Sequence, residues 1–344
     1  MFDDVISFQP LPRRAIALAA AASIAVLTGC STLSGPGAPT ATTSSTAEDT
    51  VISDDLAVLE EENLEAAIAH LVEDVEKEFG ATVSLAIVDG KQDFLAGADG
   101  SEPAWSTIKV PIAIAALRDG ASEELVDAAI KESDNDAALA LWDQVEWTEG
   151  SAQHSIEDLL DSFDSEVETD EAFGMSTWKV KDQARFASHL GCIPEAEYVY
   201  DAMSDIVDWQ KWGLSGLDGV HSKGGCGLDE EDGEYTSRQI GVMPVDGGEI
   251  GIALSASWQT WDDDNSYLED SGYDAVEDIS AAALDEIASR LEILIEKALE
   301  TGELDPVNDC SETSRLAPVA TEPSARSEER RVGKECRSRW SPYH

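Results

Sequence analysis

The chain has 344 residues and a formal net charge of −49. That length suits one or two domains, and a hydrophobic fraction of 42% is enough for a buried core. So acidic a chain is repelled by nucleic acid and by anionic membrane surfaces, and its charge reads as a solvated acidic surface.

Arg13 and Arg14 precede an apolar run over residues 15–27. The run is too short to span a bilayer and reads as the core of an export signal. It ends in Leu27-Thr28-Gly29-Cys30, which resembles a bacterial lipobox. The resemblance implies residues 1–29 as a signal peptide and a lipid on Cys30. The protein is then expected at the outer face of the cell membrane, held there by its lipid alone. Residues 30–55 are rich in Ser, Thr, Ala, Gly and Pro and read as a flexible linker.

A folded domain is expected over residues 56–300. A helical pattern covers 56–79, with apolar Leu64, Ala67, Ile68, Leu71 and Val75, and Gly80 ends it. Residues 81–89 and 93–97 read as a hairpin around Asp89-Gly90. The middle is helical over 107–117, 123–131, 136–144, 155–163, 179–190 and 194–207. Strand signals return at 219–225, 235–245 and 249–258, and an amphipathic helix over 275–299 closes the domain. The order predicts an α+β fold: an antiparallel five-stranded sheet, terminal helices on one face, and an all-helical lobe.

Residues 301–325 read as an acidic, polar tail. Residues 326–344 carry six Lys/Arg against three Asp/Glu, a net of +3, whereas the rest of the chain is at −52. This abrupt switch reads as translated sequencing-adapter read-through, which sets Cys336 aside. Besides Cys30, three thiols remain: Cys192, Cys226 and Cys310. An exported chain sits where disulfides form, and the sequence leaves the pairing open. No His/Cys cluster has ligand spacing, so no metal or cofactor is expected. His70 and His189 read as helix-surface residues, and Asp262-Asp263-Asp264 as a solvated turn.

Three short motifs carry the chemistry. Ser106-Thr107-Ile108-Lys109 places a hydroxyl and an amine on one helix face, about 5–6 Å apart at Cβ. A serine becomes a nucleophile when a neighbour takes its proton, and burial lets a lysine do so by lowering its pKa. Ser133-Asp134-Asn135 and Lys223-Gly224-Gly225 follow. In order these are S-x-x-K, S-D-N and K-x-G, a set found in class A β-lactamases and penicillin-binding proteins. Over residues 56–299 the chain resembles a class A β-lactamase-related serine hydrolase. Residues 106–117 and 176–190 extend the likeness.

The resemblance implies a monomer that forms an acyl-enzyme with a β-lactam or a D-alanyl wall peptide. Ser106 attacks, Lys109 takes its proton, and Ser133 passes protons between Lys109, Lys223 and the leaving nitrogen. Asn135 holds a substrate amide. Lys223 faces the substrate carboxylate, and Gly225 lets substrate lie along the strand. The oxyanion hole is expected at the backbone N–H groups of Ser106 and Cys226. Arg238 is expected as a second carboxylate anchor. Asp134 is expected to tie its loop, Trp105 to pack in the wall, and His221 to turn its ring away.

Two departures stand out. Ser106 and Ser133 are only 27 residues apart (133 − 106), so the helical lobe is reduced. The deacylation motif E-x-x-L-N is absent. Glu166, Glu168, Asp170 and Glu171 occupy that stretch with no Leu-Asn behind them. Acylation with slow turnover, or capture of wall peptides without hydrolysis, follows as the alternative to efficient β-lactam hydrolysis.

Overall fold

A computed structural model describes residues 45–229, 233–260, 267–308 and 310. The chain divides into Met1–Ser44 and Ser45–His344, and all described residues lie in the second unit. Cys30, Asp262-Asp263-Asp264 and Cys336 fall outside the described residues.

The first helix, α1 (Ser45–Glu61), begins inside the segment expected as linker. Asp55 is buried there and pairs with Arg290 of the last helix, so the domain starts earlier than residue 56. The helix expected over 56–79 is broken after Glu61. Asn63 caps α2 (Leu64–Phe79) through its side-chain oxygen, 2.9 Å from the Ala66 N–H. Gly80 ends α2 in the left-handed region at φ 65°.

Next come β1 (Thr82–Val88) and β2 (Asp93–Gly97). A 3₁₀ turn, Trp105–Ile108, leads into α3 (Lys109–Arg118), followed by α4 (Glu123–Lys131), α5 (Asn135–Glu149) and α6 (Ala152–Asp161). Then come α7 (Val180–Ala187) and α8 (Glu197–Ala202). The strands β3 (His221–Asp229), β4 (Glu234–Val245) and β5 (Gly248–Gln259) follow, and α9 (Tyr267–Thr301) closes the order.

The sheet order is β2-β1-β5-β4-β3, with every neighbouring pair antiparallel. The predicted five-stranded α+β architecture is therefore present. Strand alternation explains its two layers. Val83, Leu85 and Ile87 of β1 join Ile250, Ile252 and Leu254 of β5 against α2 and α9. The intervening Ala86, Val88 and Ala253 meet Val180 and Ala184 of α7. Small residues there let the helix lie close: a Cβ on Gly251 would stand 2.1 Å from the Ala184 carbonyl oxygen. A second core, built largely from α3, α5 and α6, forms the helical lobe.

Two side-chain clusters fasten the ends. Arg290 donates to both oxygens of Asp55 at 2.7 Å and reaches Asp74 at 3.4 Å, while His70 Nδ1 lies 2.8 Å from Asp55. Asp55, His70 and Asp74 converge as a metal-ligand set would, but the guanidinium already bridges the acids. His70 is thus a half-buried hydrogen-bond partner of Asp55 rather than only a surface residue. Cys192 pairs with Cys310, with Cα atoms 5.3 Å apart, and Cys226 stays outside the disulfide. Val307 exchanges two backbone hydrogen bonds with Glu249. Residues 301–308 and Cys310 are therefore docked on the domain and are not a tail.

Candidate active site

The edge strand β3 faces the Trp105–Ile108 turn. A Cβ on Gly225 would lie 2.5 Å from the Ser106 backbone nitrogen, and one on Gly227 would lie 2.6 Å from the Trp105 ring. The two glycines thus permit the strand to touch the Trp105–Ile108 turn. Trp105 packs in the wall as expected, at φ 48°, a left-handed conformation that bulky residues rarely adopt. Ser133 is held at φ 57°. Trp105 adjoins Ser106 and Ser133 carries the hydroxyl shared by the two lysines, so the two left-handed residues fit the concentration of backbone strain at functional sites.

Lys109 and Lys223 are both buried. Lys109 Nζ donates to the Ser133 carbonyl at 2.6 Å, to Asn135 Oδ1 at 2.7 Å and to Ser133 Oγ at 3.4 Å. Lys223 Nζ donates to Ser133 Oγ at 2.9 Å, to the Gly224 carbonyl at 2.6 Å and to Gln210 Oε1 at 3.2 Å. The four residues Lys109, Ser133, Asn135 and Lys223 thus form one hydrogen-bonded group. Ser106 lies one turn before Lys109 and is half-buried. The hydrogen bonds of Lys109 go to Ser133 and Asn135, and none among the described residues goes to the Ser106 hydroxyl.

Burial pushes the Lys109 amine down to about 8, against the opposing pull of Asp134. Burial also holds the Lys223 amine well below the usual lysine range, and the positive charge of Lys109 adds to it. Asp134 does its expected structural work. Its side chain accepts the Ala137 N–H at 2.6 Å as the N-cap of α5, and its own N–H donates to the Ala128 carbonyl at 2.9 Å.

Two expectations, for Arg238 and His189, are corrected. Arg238 is fully buried and does not reach the cleft as an anchor. Its guanidinium donates to the backbone carbonyls of Glu102 at 2.6 Å, Pro103 at 3.1 Å, Gly100 at 3.3 Å and Trp178 at 2.7 Å. Burial lowers it to about 10, and Glu102 opposes that shift. Arg238 therefore braces the segment that leads into Ser106. The His221 ring is turned to Tyr200. Alternation puts it on the same face as Lys223, where its Nδ1 meets the Tyr200 carbonyl at 2.8 Å and the two rings lie 4.0 Å apart. His189 is half-buried against Phe163 rather than surface-bound.

Cys226 is the residue after Gly225, exposed and paired in register with Ser237. Glu166, Glu168, Asp170 and Glu171 are exposed. No hydrogen bond among the described residues joins their carboxylates to Ser106, Lys109 or Lys223. The loop that carries them reaches the nucleophile turn through backbone: a Cβ on Gly174 would lie 3.8 Å from Trp105 Cα.

Sequence reasoning missed two glutamines. Gln183 on α7 is fully buried and donates to Thr107 Oγ1 at 3.2 Å and to the Trp178 carbonyl at 3.1 Å. Gln210, in the turn Asp208–Gln210, accepts from Lys223. Neither lies in a motif, so no local signal marks them.

No protein-family model matches the chain, and no curated protein matches it. Among solved structures it is similar to a class A β-lactamase from Bacteroides cellulosilyticus, at 13% identity over 65% of this chain and 98% of that one, TM-score 0.48. A β-lactamase from Burkholderia vietnamiensis shares 16% identity over 66% and 97% of the two chains, TM-score 0.48. An ancestral class A β-lactamase shares 18% identity over 67% and 99%, TM-score 0.47.

Proposed function

We propose that this chain is an exported, lipid-anchored serine hydrolase of the β-lactamase and penicillin-binding kind, acylated on Ser106 by β-lactams. The observation that carries the reading is the meeting of two buried lysines, Lys109 one turn after Ser106 and Lys223 on the edge strand, on one hydroxyl, Ser133 Oγ.

Lys109 in its neutral form takes the Ser106 proton as Ser106 Oγ bonds to the lactam carbonyl carbon. The acyl C–N bond then breaks, and the nitrogen receives a proton through Ser133 Oγ, which both donates and accepts. Water completes the cycle by cleaving the ester. Export and attachment through Cys30 rest on the sequence of residues 13–30 and belong to the same proposal, as does a β-lactam or wall-peptide substrate.

A second reading keeps acylation and drops efficient turnover: a penicillin-binding or wall-peptide-capturing protein. The exposed positions of Glu166, Glu168, Asp170 and Glu171 favour it, since none is hydrogen-bonded into the Ser106 site. Labelling with a fluorescent penicillin, followed by denaturing electrophoresis, tests the proposal. The wild-type chain is expected to carry label, whereas Ser106→Ala and Lys109→Ala chains carry none. Label on Ser106→Ala would refute it. Loss of benzylpenicillin absorbance in the same samples separates the two readings.

A further inference from the structure

Lys223 has three ammonium hydrogens, and all are taken. Ser133 Oγ holds one at 2.9 Å, the Gly224 carbonyl another at 2.6 Å, and Gln210 Oε1 the third at 3.2 Å. The side chain is fully buried. A substrate carboxylate therefore reaches this ammonium only by replacing one of the three partners. The Gly224 carbonyl is backbone of the strand itself. Ser133 Oγ is the hydroxyl shared with Lys109. Gln210 is the partner able to leave.

Its seat is a poor one. Gln210 Nε2 is buried and has no hydrogen-bond partner among the described residues. The amide orientation is fixed by chemistry, because only its oxygen can accept from an ammonium. The residue sits at the end of a single 3₁₀ turn, Asp208–Gln210. Trp209 beside it is 70% exposed, and Lys211 on its other side is exposed and paired with Asp208 at 2.8 Å. A carboxylate is a stronger acceptor for an ammonium than a neutral amide oxygen.

We propose that Gln210 is a specificity-determining residue that occupies the carboxylate position on Lys223 and must be displaced by an acyl donor carrying that group. The inference rests on the acylation reading above for its substrate class. Gln210 then selects for donors whose carboxylate repays its removal.

The test compares second-order acylation constants of the wild-type and Gln210→Ala chains with benzylpenicillin and with its methyl ester. Loss of a competing hydrogen bond to an ammonium is expected to raise the benzylpenicillin constant by about tenfold. The ester constant is expected to stay the same. Equal losses with both donors would make Gln210 merely structural and overturn the inference, as would no change with either.

A second measurement is independent of acylation. Reductive methylation with formaldehyde, read by peptide mapping, reports exposure of each lysine. Lys223 is expected to react faster in Gln210→Ala and in Gln210→Ser, with Lys109 unchanged. Unchanged Lys223 labelling overturns the inference whether or not penicillin reacts. Absence of any penicillin adduct, alongside faster Lys223 labelling, overturns the proposed function and leaves the masking of Lys223 by Gln210 standing.

Discussion

Lys109 and Lys223 donate to the same oxygen, Ser133 Oγ, at 3.4 Å and 2.9 Å. Two amines that share one hydroxyl in a buried site cannot both carry charge cheaply, and burial lowers both. The consequence is a lysine near Ser106 that is neutral in an accessible pH range. Only its neutral form accepts a proton, so the acylation rate is expected to rise with pH through about 8, the value to which Lys109 is pushed, and to level off above it. Rapid-mix measurement of acylation between pH 6 and 10 checks this. A rate that is flat over that range would remove Lys109 as the base.

Gly225 is the contact between the edge strand and the nucleophile turn. A methyl group there meets the Ser106 nitrogen at 2.5 Å, closer than real Cβ contacts allow. Both partners are backbone, so strand and turn must separate. Gly225→Ala is expected to lower acylation by at least about 100-fold, the scale of losing one oxyanion donor. Gly216, with open space around its Cβ position, supplies the control, and Gly216→Ala is expected to keep the wild-type rate.

Arg238 holds four backbone carbonyls that precede or neighbour the nucleophile turn. Its removal takes the guanidinium donor from the Gly100, Glu102 and Pro103 carbonyls, and leaves the Trp178 carbonyl with Gln183 alone. Arg238→Ala is expected to destabilise the chain by about 3 kcal/mol or more, since several buried acceptors lose their partners. Arg238→Lys recovers little of this, because an ammonium cannot reproduce the guanidinium fork. Urea denaturation reads the loss. A variant of normal stability that has only weaker substrate binding would restore the anchor role.

Asp55 and Arg290 form a buried pair that joins the first and last helices. Taking away one partner strands the other charge, at a typical cost of about 3–5 kcal/mol. Asp55→Ala is therefore expected to lower the denaturation midpoint sharply, and Asp74→Ala much less, because Asp74 is partly exposed and 3.4 Å away. The midpoints of the two variants check this ordering.

The sheet was legible in the sequence because β1, β2 and β5 are largely apolar and turn residues such as Asp89-Gly90 and Gly247 separate the strands. All five fall within a few residues of their expected positions. The helix α4 matches residue for residue, as its cap Ser122 and its amphipathic pattern are both local. The break between α1 and α2 was hidden because Leu56–Phe79 is helical in pattern throughout and only the Asn63 cap marks it. The early start of α1 depends on Asp55 meeting Arg290, 235 residues away. Motif spacing singled out Lys109, Ser133, Asn135 and Lys223, which the fold joins by hydrogen bonds. The same logic failed for Arg238, since a strand arginine near a K-x-G motif reads as an anchor until its burial is known. Gln210 and Gln183 act through long-range contacts that no local pattern encodes.

Intact mass over time, with the purified chain and excess benzylpenicillin, tests the central claim most directly. An increase equal to one penicillin is expected, mapped to the peptide containing Ser106 and absent from Ser106→Ala. Wild-type and Ser106→Ala chains that stay equally unmodified while the drug persists would contradict it.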